Sequence, residues 1–195
     1  MCGIAGMVGT GASERVRSMT DALVHRGPDD GGYYDDPPSH LCLGMRRLSI
    51  LDLEYGHQPM ANRDQSVWIV YNGEIFNSPE LRRQLEQRQH RFVTANSDTE
   101  TLLKLYDEKQ ENMLADLNGM FAFVLHDRKR NLLFGARDRL GIKPLYYART
   151  PAAFGFASEL KSLLRMSGLT PALDENSSSH YLTLRFVPGT SSMVK

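Results

Sequence analysis

Two apolar runs, residues 120–126 and 132–136, flank the polar stretch 127–131, the pattern of an antiparallel hairpin. Such a pair commits the chain to at least one antiparallel sheet. Residues 3–9, 41–50 and 67–71 are further β-branched or apolar runs bounded by turn formers, and each reads as a strand. Residues 145–147 and 154–157 are expected to extend the hairpin's sheet. Helices are expected over 14–24, over 79–87 with Ser78 as N-cap, and over 98–108 with Leu102, Leu103 and Tyr106 on one face; 158–164 reads as a shorter one. The helices are grouped and do not alternate strictly with the strands. That favours an α+β fold over a parallel nucleotide-binding sheet.

The 195 residues suit one large domain or two small ones, and 41% hydrophobic residues can fill a core. Basic and acidic residues balance at 23 each, so no net field draws the chain to nucleic acid or to an anionic membrane. No apolar run approaches the roughly 18 residues of a membrane span, and no basic, then apolar, leader opens the chain. A cytoplasmic protein is expected. Its two cysteines, Cys2 and Cys42, are then reduced thiols, with Cys42 in strand core. Residues 169–195 carry Pro171, a serine run, Pro188 and Gly189 and end without a closing element. They read as the start of a linker after a domain spanning 2–168, in a piece of a longer protein.

Cys2 follows the initiator Met1, and its small side chain permits aminopeptidase removal of Met1. A thiol and a free amine would then share one carbon. With ordinary pKa values of about 8.5 for a thiol and 8 for an α-amine, the amine can take the thiol proton, directly or through one water. Position alone is weak support, since most early cysteines are buried or incidental.

Cys2-Gly3-Ile4, His25-Arg26-Gly27-Pro28-Asp29, Arg47-Leu48-Ser49-Ile50, Asn72-Gly73-Glu74 and Ser97-Asp98 occur in one order. Arg137-Asp138 and residues 141–146 follow. The ordered set resembles the glutaminase domain of the asparagine synthetase family, a class II, N-terminal-nucleophile glutamine amidotransferase. The resemblance implies a four-layer αββα sandwich of two antiparallel sheets between helices.

A thiol that hydrolyses glutamine needs donors for a tetrahedral oxyanion, and a turn at Asn72-Gly73 can aim a side-chain amide and a backbone N–H at one point. The family places its oxyanion hole there. Free glutamine also needs an anion for its α-ammonium and a cation for its α-carboxylate. Asp98 and Arg47 suit those roles, Asp98 also occupying a helix N-cap position. The resemblance adds Glu74 to the α-ammonium contacts and main-chain groups near Ile50 to the rim. Arg26 lies in a polar loop, 25–29, that either closes over substrate or only turns the chain. Asp138, Arg139 and Lys143 read as ion pairs around a turn at Gly141, and no Cys/His cluster supports a metal.

The resulting expectation is hydrolysis of L-glutamine to glutamate and ammonia through a Cys2 thioester. The fragment needs no cofactor. The family uses the ammonia in a C-terminal, ATP- and magnesium-dependent synthetase domain, and no Ser-Gly-Gly-x-Asp-Ser loop for that domain occurs here. A homodimer is open. A glutamine-sensing domain with little turnover is the alternative, and glutamate release with and without Cys2→Ala separates the two. A redox protein would instead need reversible Cys2–Cys42 pairing.

Overall fold

The computed structural model describes residues 1–48, 56–166, 168–189 and 191–194. β1 (Gly3–Gly9) lies antiparallel between β3 (Leu41–Arg47) and β9 (Ala153–Ala157). With β2 (Asp30–Asp36) beyond β3 and β8 (Tyr146–Arg149) beyond β9, the order is β2-β3-β1-β9-β8. A second sheet runs β4 (Met60–Ala61), β5 (Val67–Ile75), β6 (Gly119–Asp127), β7 (Leu132–Arg137).

Three apolar clusters show how the layers stack. Strand residues one apart point to opposite faces. In β1, Ala5 and Met7 pack with Val16, Met19 and Leu23 from the segment containing helix α1 (Ala12–Asp21), whereas Ile4 and Val8 join Leu43, Met45, Val70, Val124 and Phe156 between the sheets. In β5, Val67, Ile69, Tyr71 and Ile75 face helices α2 (Ser78–Gln87) and α3 (Asp98–Lys109), and Val70 turns to the other sheet. The short helix α4 (Leu160–Leu163) buries Leu163 beside α1. This is the αββα sandwich, and burial of each large apolar side chain such as Phe123 or Phe156 contributes about 1.5–3 kcal/mol.

Several boundaries depart from the sequence reading. β5 continues four residues beyond Tyr71, because β6 pairs with it from Val67↔Asp127 to Ile75↔Gly119. Asn72-Gly73 therefore lies inside a strand, and tertiary pairing overrides the turn tendency of Asn-Gly. β8 and β9 do not extend the hairpin's sheet; β9 pairs with β1 at Ala5↔Ala157, a partnership 152 positions apart that local pattern does not carry. β2, with the sequence DGGYYDD, is poor in strand formers and forms by pairing with β3. α2 begins at Ser78 with Asn77 as N-cap, and the Ser78 hydroxyl donates to Thr101 Oγ1 at 3.1 Å instead of capping. β3 ends at Arg47, and Ser49 and Ile50 lie outside the described residues. The stretch 169–195 holds a ten-residue helix, α5 (Glu175–Leu184), capped by Asp174, whose carboxylate accepts from Ser177 N–H at 2.7 Å. No helix among the described residues is long and apolar enough to cross a membrane.

Candidate active site

The strand pleat assembles the site. Leu41, Leu43 and Met45 of β3 face the inter-sheet space, so Arg47 follows on that face. Val70 does the same for Asn72 and Glu74 in β5. Cys2, two residues before Ile4, packs against the same cluster. The first β1–β3 pair is Gly3↔Arg46, which leaves Cys2 and Arg47 side by side at the sheet's end. All four line one cavity of about 190 Å³, with Tyr71, Gly73, Asp98 and Lys143. A cavity of about 150 Å³ is enough to hold benzene, so this one is sized for a small metabolite.

The donors converge along the open edge of β5. Phe121, opposite Gly73, has its N–H donated to Asp138 Oδ2 at 3.2 Å and its carbonyl accepting from Asp138 N–H at 2.8 Å, so both turn away from β5. Gly73 is thus at a non-hydrogen-bonded ladder position, and its N–H points to the open edge. Its neighbours of the same parity confirm the direction: Tyr71 N–H donates to Gln58 Oε1 at 2.7 Å, and Ile75 N–H to Asp98 Oδ2 at 3.2 Å. Beside it the Asn72 amide nitrogen is buried without a hydrogen-bond partner among the described residues. An unpaired buried donor costs about 1–3 kcal/mol, a cost expected where a ligand supplies the acceptor.

Charge is arranged around these donors. Asp98 is the first residue of α3, one past the N-cap Ser97, and its Oδ2 accepts from Tyr71 Oη–H at 2.6 Å. Burial pushes the Asp98 carboxyl above the usual range, with the Tyr71 and Ile75 donors opposing the rise. Burial and then Asp98 push the Tyr71 phenol up, so it remains a donor. Arg47 is buried in the wall and Glu74 stands exposed at its edge. Arg26 does not line the cavity: its Nε donates to the Cys2 carbonyl at 2.9 Å and its Nη1 to Glu159 Oε1 at 2.9 Å.

The turn after β7 corrects a further expectation. Among the described residues no ion pair joins Asp138, Arg139 and Lys143. Asp138 accepts from the N–H groups of Phe121, Leu140, Ile142 and Lys143 at 2.9–3.2 Å. Burial would raise its carboxyl, and these four donors outweigh burial and hold it low. Arg139 donates to the Leu117 carbonyl. Lys143 belongs to the cavity wall, buried, with Nζ 3.6 Å from Met1 Sδ. A lysine two residues after a glycine turn carries no sequence signal for that position. Cys42 is buried in β3, where burial first and Asp35 second push its thiol up. No group of three His, Cys, Asp or Glu side chains able to hold a metal occurs among the described residues.

This architecture is the fold of an amidotransferase of known structure. Glutamine phosphoribosylpyrophosphate amidotransferase from B. subtilis superposes with a TM-score of 0.69 over 83% of this chain and 42% of that one, at 22% identity. The chain itself belongs to the glutamine amidotransferase domain family, which it matches over residues 1–195. It is 40% identical over 200 residues to asparagine synthetase [glutamine-hydrolyzing] 1 of Bacillus subtilis, covering 99% of this chain and 31% of that protein. To asparagine synthetase [glutamine-hydrolyzing] 3 of the same organism it is 41% identical over 199 residues, covering 97% and 32%. The chain thus spans about a third of the length of these relatives.

Gly73 is required by close approach: a Cβ there would lie 2.4 Å from the Met120 carbonyl oxygen and 2.7 Å from Phe121 Cα, both backbone atoms. Gly73→Ala is expected to destabilise the fold by about 1–3 kcal/mol through overpacking, read from urea unfolding. An unchanged unfolding midpoint would show that β5 and β6 are not held at this spacing.

Proposed function

We propose that the chain hydrolyses the side-chain amide of L-glutamine through a thioester on Cys2. The buried Asn72 amide nitrogen in the cavity shared with Cys2 carries this reading, because no group among the described residues uses that donor. With Met1 removed, the Cys2 amine takes the thiol proton and the thiolate adds to the amide carbon. The oxyanion is held by Asn72 Nδ2–H and Gly73 N–H. The amine returns the proton to the leaving nitrogen, ammonia departs, and water, deprotonated by the same amine, hydrolyses the γ-glutamyl thioester to glutamate. Arg47 receives the α-carboxylate, and Asp98 with Glu74 the α-ammonium. The relatives' names and greater length support transfer of the ammonia to a synthetase region; in this reading that region is C-terminal and uses ATP and magnesium.

Asn72→Ala is expected to lower kcat for glutamate release by about 10²–10³-fold with KM for glutamine little changed, because the donor acts on charge that develops in the transition state. Cys2→Ala should release none. Wild-type kcat in Asn72→Ala would remove that residue from the oxyanion site.

Asp98 makes glutamine binding pH-dependent. A bound ammonium favours the carboxylate, whose free-state pKa burial has raised, so affinity is full above that raised value and lost as pH falls through it. KM for glutamine should begin to climb above the ordinary aspartate value of about 4. Asp98→Asn should abolish this acid limb and raise KM at neutral pH by about ten- to a hundred-fold. The same acid limb in Asp98→Asn would assign it to another group.

A further inference from the structure

Cys2 precedes the first ladder pair, Gly3↔Arg46, so the sheet does not hold its backbone. Arg26 does, held in turn by residues that follow β9. Ser158, fully buried directly after β9, accepts from Ile4 N–H at 2.9 Å through Oγ and donates its own N–H to the Ile4 carbonyl at 2.8 Å. That exchange fixes the neighbouring Glu159. Glu159 Oε1 accepts from Arg26 Nη1 and His25 Nε2, each at 2.9 Å, and Lys161 Nζ lies 3.3 Å from Oε2. The Arg26 side chain is only 9% exposed, and its Nε completes the chain by donating to the Cys2 carbonyl at 2.9 Å.

We propose that Glu159 is a positioning residue for the nucleophile, holding the Arg26 guanidinium that orients the Cys2 carbonyl and with it the thiol and amine on the same carbon. The inference rests on the glutaminase reading. A planar guanidinium suits the task because one rigid fork spans both acceptors, which an ammonium does not. Exposed ion pairs contribute little, but this one is largely buried and ends on the reacting residue. Burial would raise the Glu159 carboxyl; Arg26, His25 and Lys161 outweigh it and hold it down at about 2, so the clamp is charged throughout the neutral range. Neither Glu159 nor Arg26 lines the cavity, so the clamp acts on the orientation of Cys2 and not on glutamine binding.

The test is steady-state glutamine hydrolysis by wild type, Glu159→Gln, Arg26→Lys and the double variant, with thermal unfolding of each. Glu159→Gln should lower kcat by about ten- to a hundred-fold, with KM for glutamine within about twofold of wild type and the unfolding midpoint retained. The double variant should be no slower than Arg26→Lys alone, as expected when one residue acts through the other. Wild-type kcat in Glu159→Gln, a loss confined to KM, or additive losses would overturn the proposal. Should Glu159→Gln fail to fold, Arg26→Lys carries the same kcat-against-KM split. Absence of glutamate release by wild type would instead sink the glutaminase reading; Cys2 alkylation by iodoacetamide, which needs no glutamine, then decides, slower in both variants if the clamp positions the thiol and unchanged if it does not.

Discussion

In a β-sandwich, residues two apart along a strand share a face, and the two inner faces must fill one space. Ile4, Leu43, Met45 and Val70 do this in the middle of the molecule. At the end of the sandwich the same alternation continues past the apolar residues and brings Cys2, Arg47, Asn72 and Glu74 to one cavity. The cavity's polar lining is therefore an extension of the core's own register. A slip of one residue in β5 would turn Asn72 to the helix side and bring Gly73 to the inter-sheet face.

The edge of β5 has a second constraint. Its short neighbour β4 pairs only at Ile69 and Trp68, which leaves the following N–H groups unpaired on that side. Gln58 satisfies Tyr71 and Asp98 satisfies Ile75, and the Gly73 N–H lies between them facing the cavity. The buried Asp98 charge and the unpaired Asn72 amide both cost stability in the free protein. Costs of this kind gather where a ligand relieves them, and here they gather at one place.

Much of this was legible in the chain. The hairpin of β6 and β7 and the strand β1 follow from apolar runs and turn residues, and α3 from its 3.6-residue pattern. The choice of Cys2, Arg47, Asn72, Gly73, Glu74 and Asp98 came from an ordered set of motifs, and the structure brings all six to one cavity. What local pattern did not carry is non-local. β9 belongs beside β1, Asn72-Gly73 is strand because β6 pairs along it, and β2 exists through β3. Glu159 and Lys143 are ordinary surface residue types in the sequence, and their side chains make contacts more than 130 positions away. Ile50 lies outside the described residues.

In the proposed mechanism thiol and base reside on one residue, which holds only when Cys2 is the first residue of the chain. Intact mass spectrometry paired with glutamate release tests it most directly, on the chain as processed and on one whose residue before Cys2 resists removal. Glutamine hydrolysis is expected to track the species beginning at Cys2 and to be lost when the Cys2 nitrogen is held in a peptide bond. Equal turnover by the chain that keeps a residue ahead of Cys2 would contradict it.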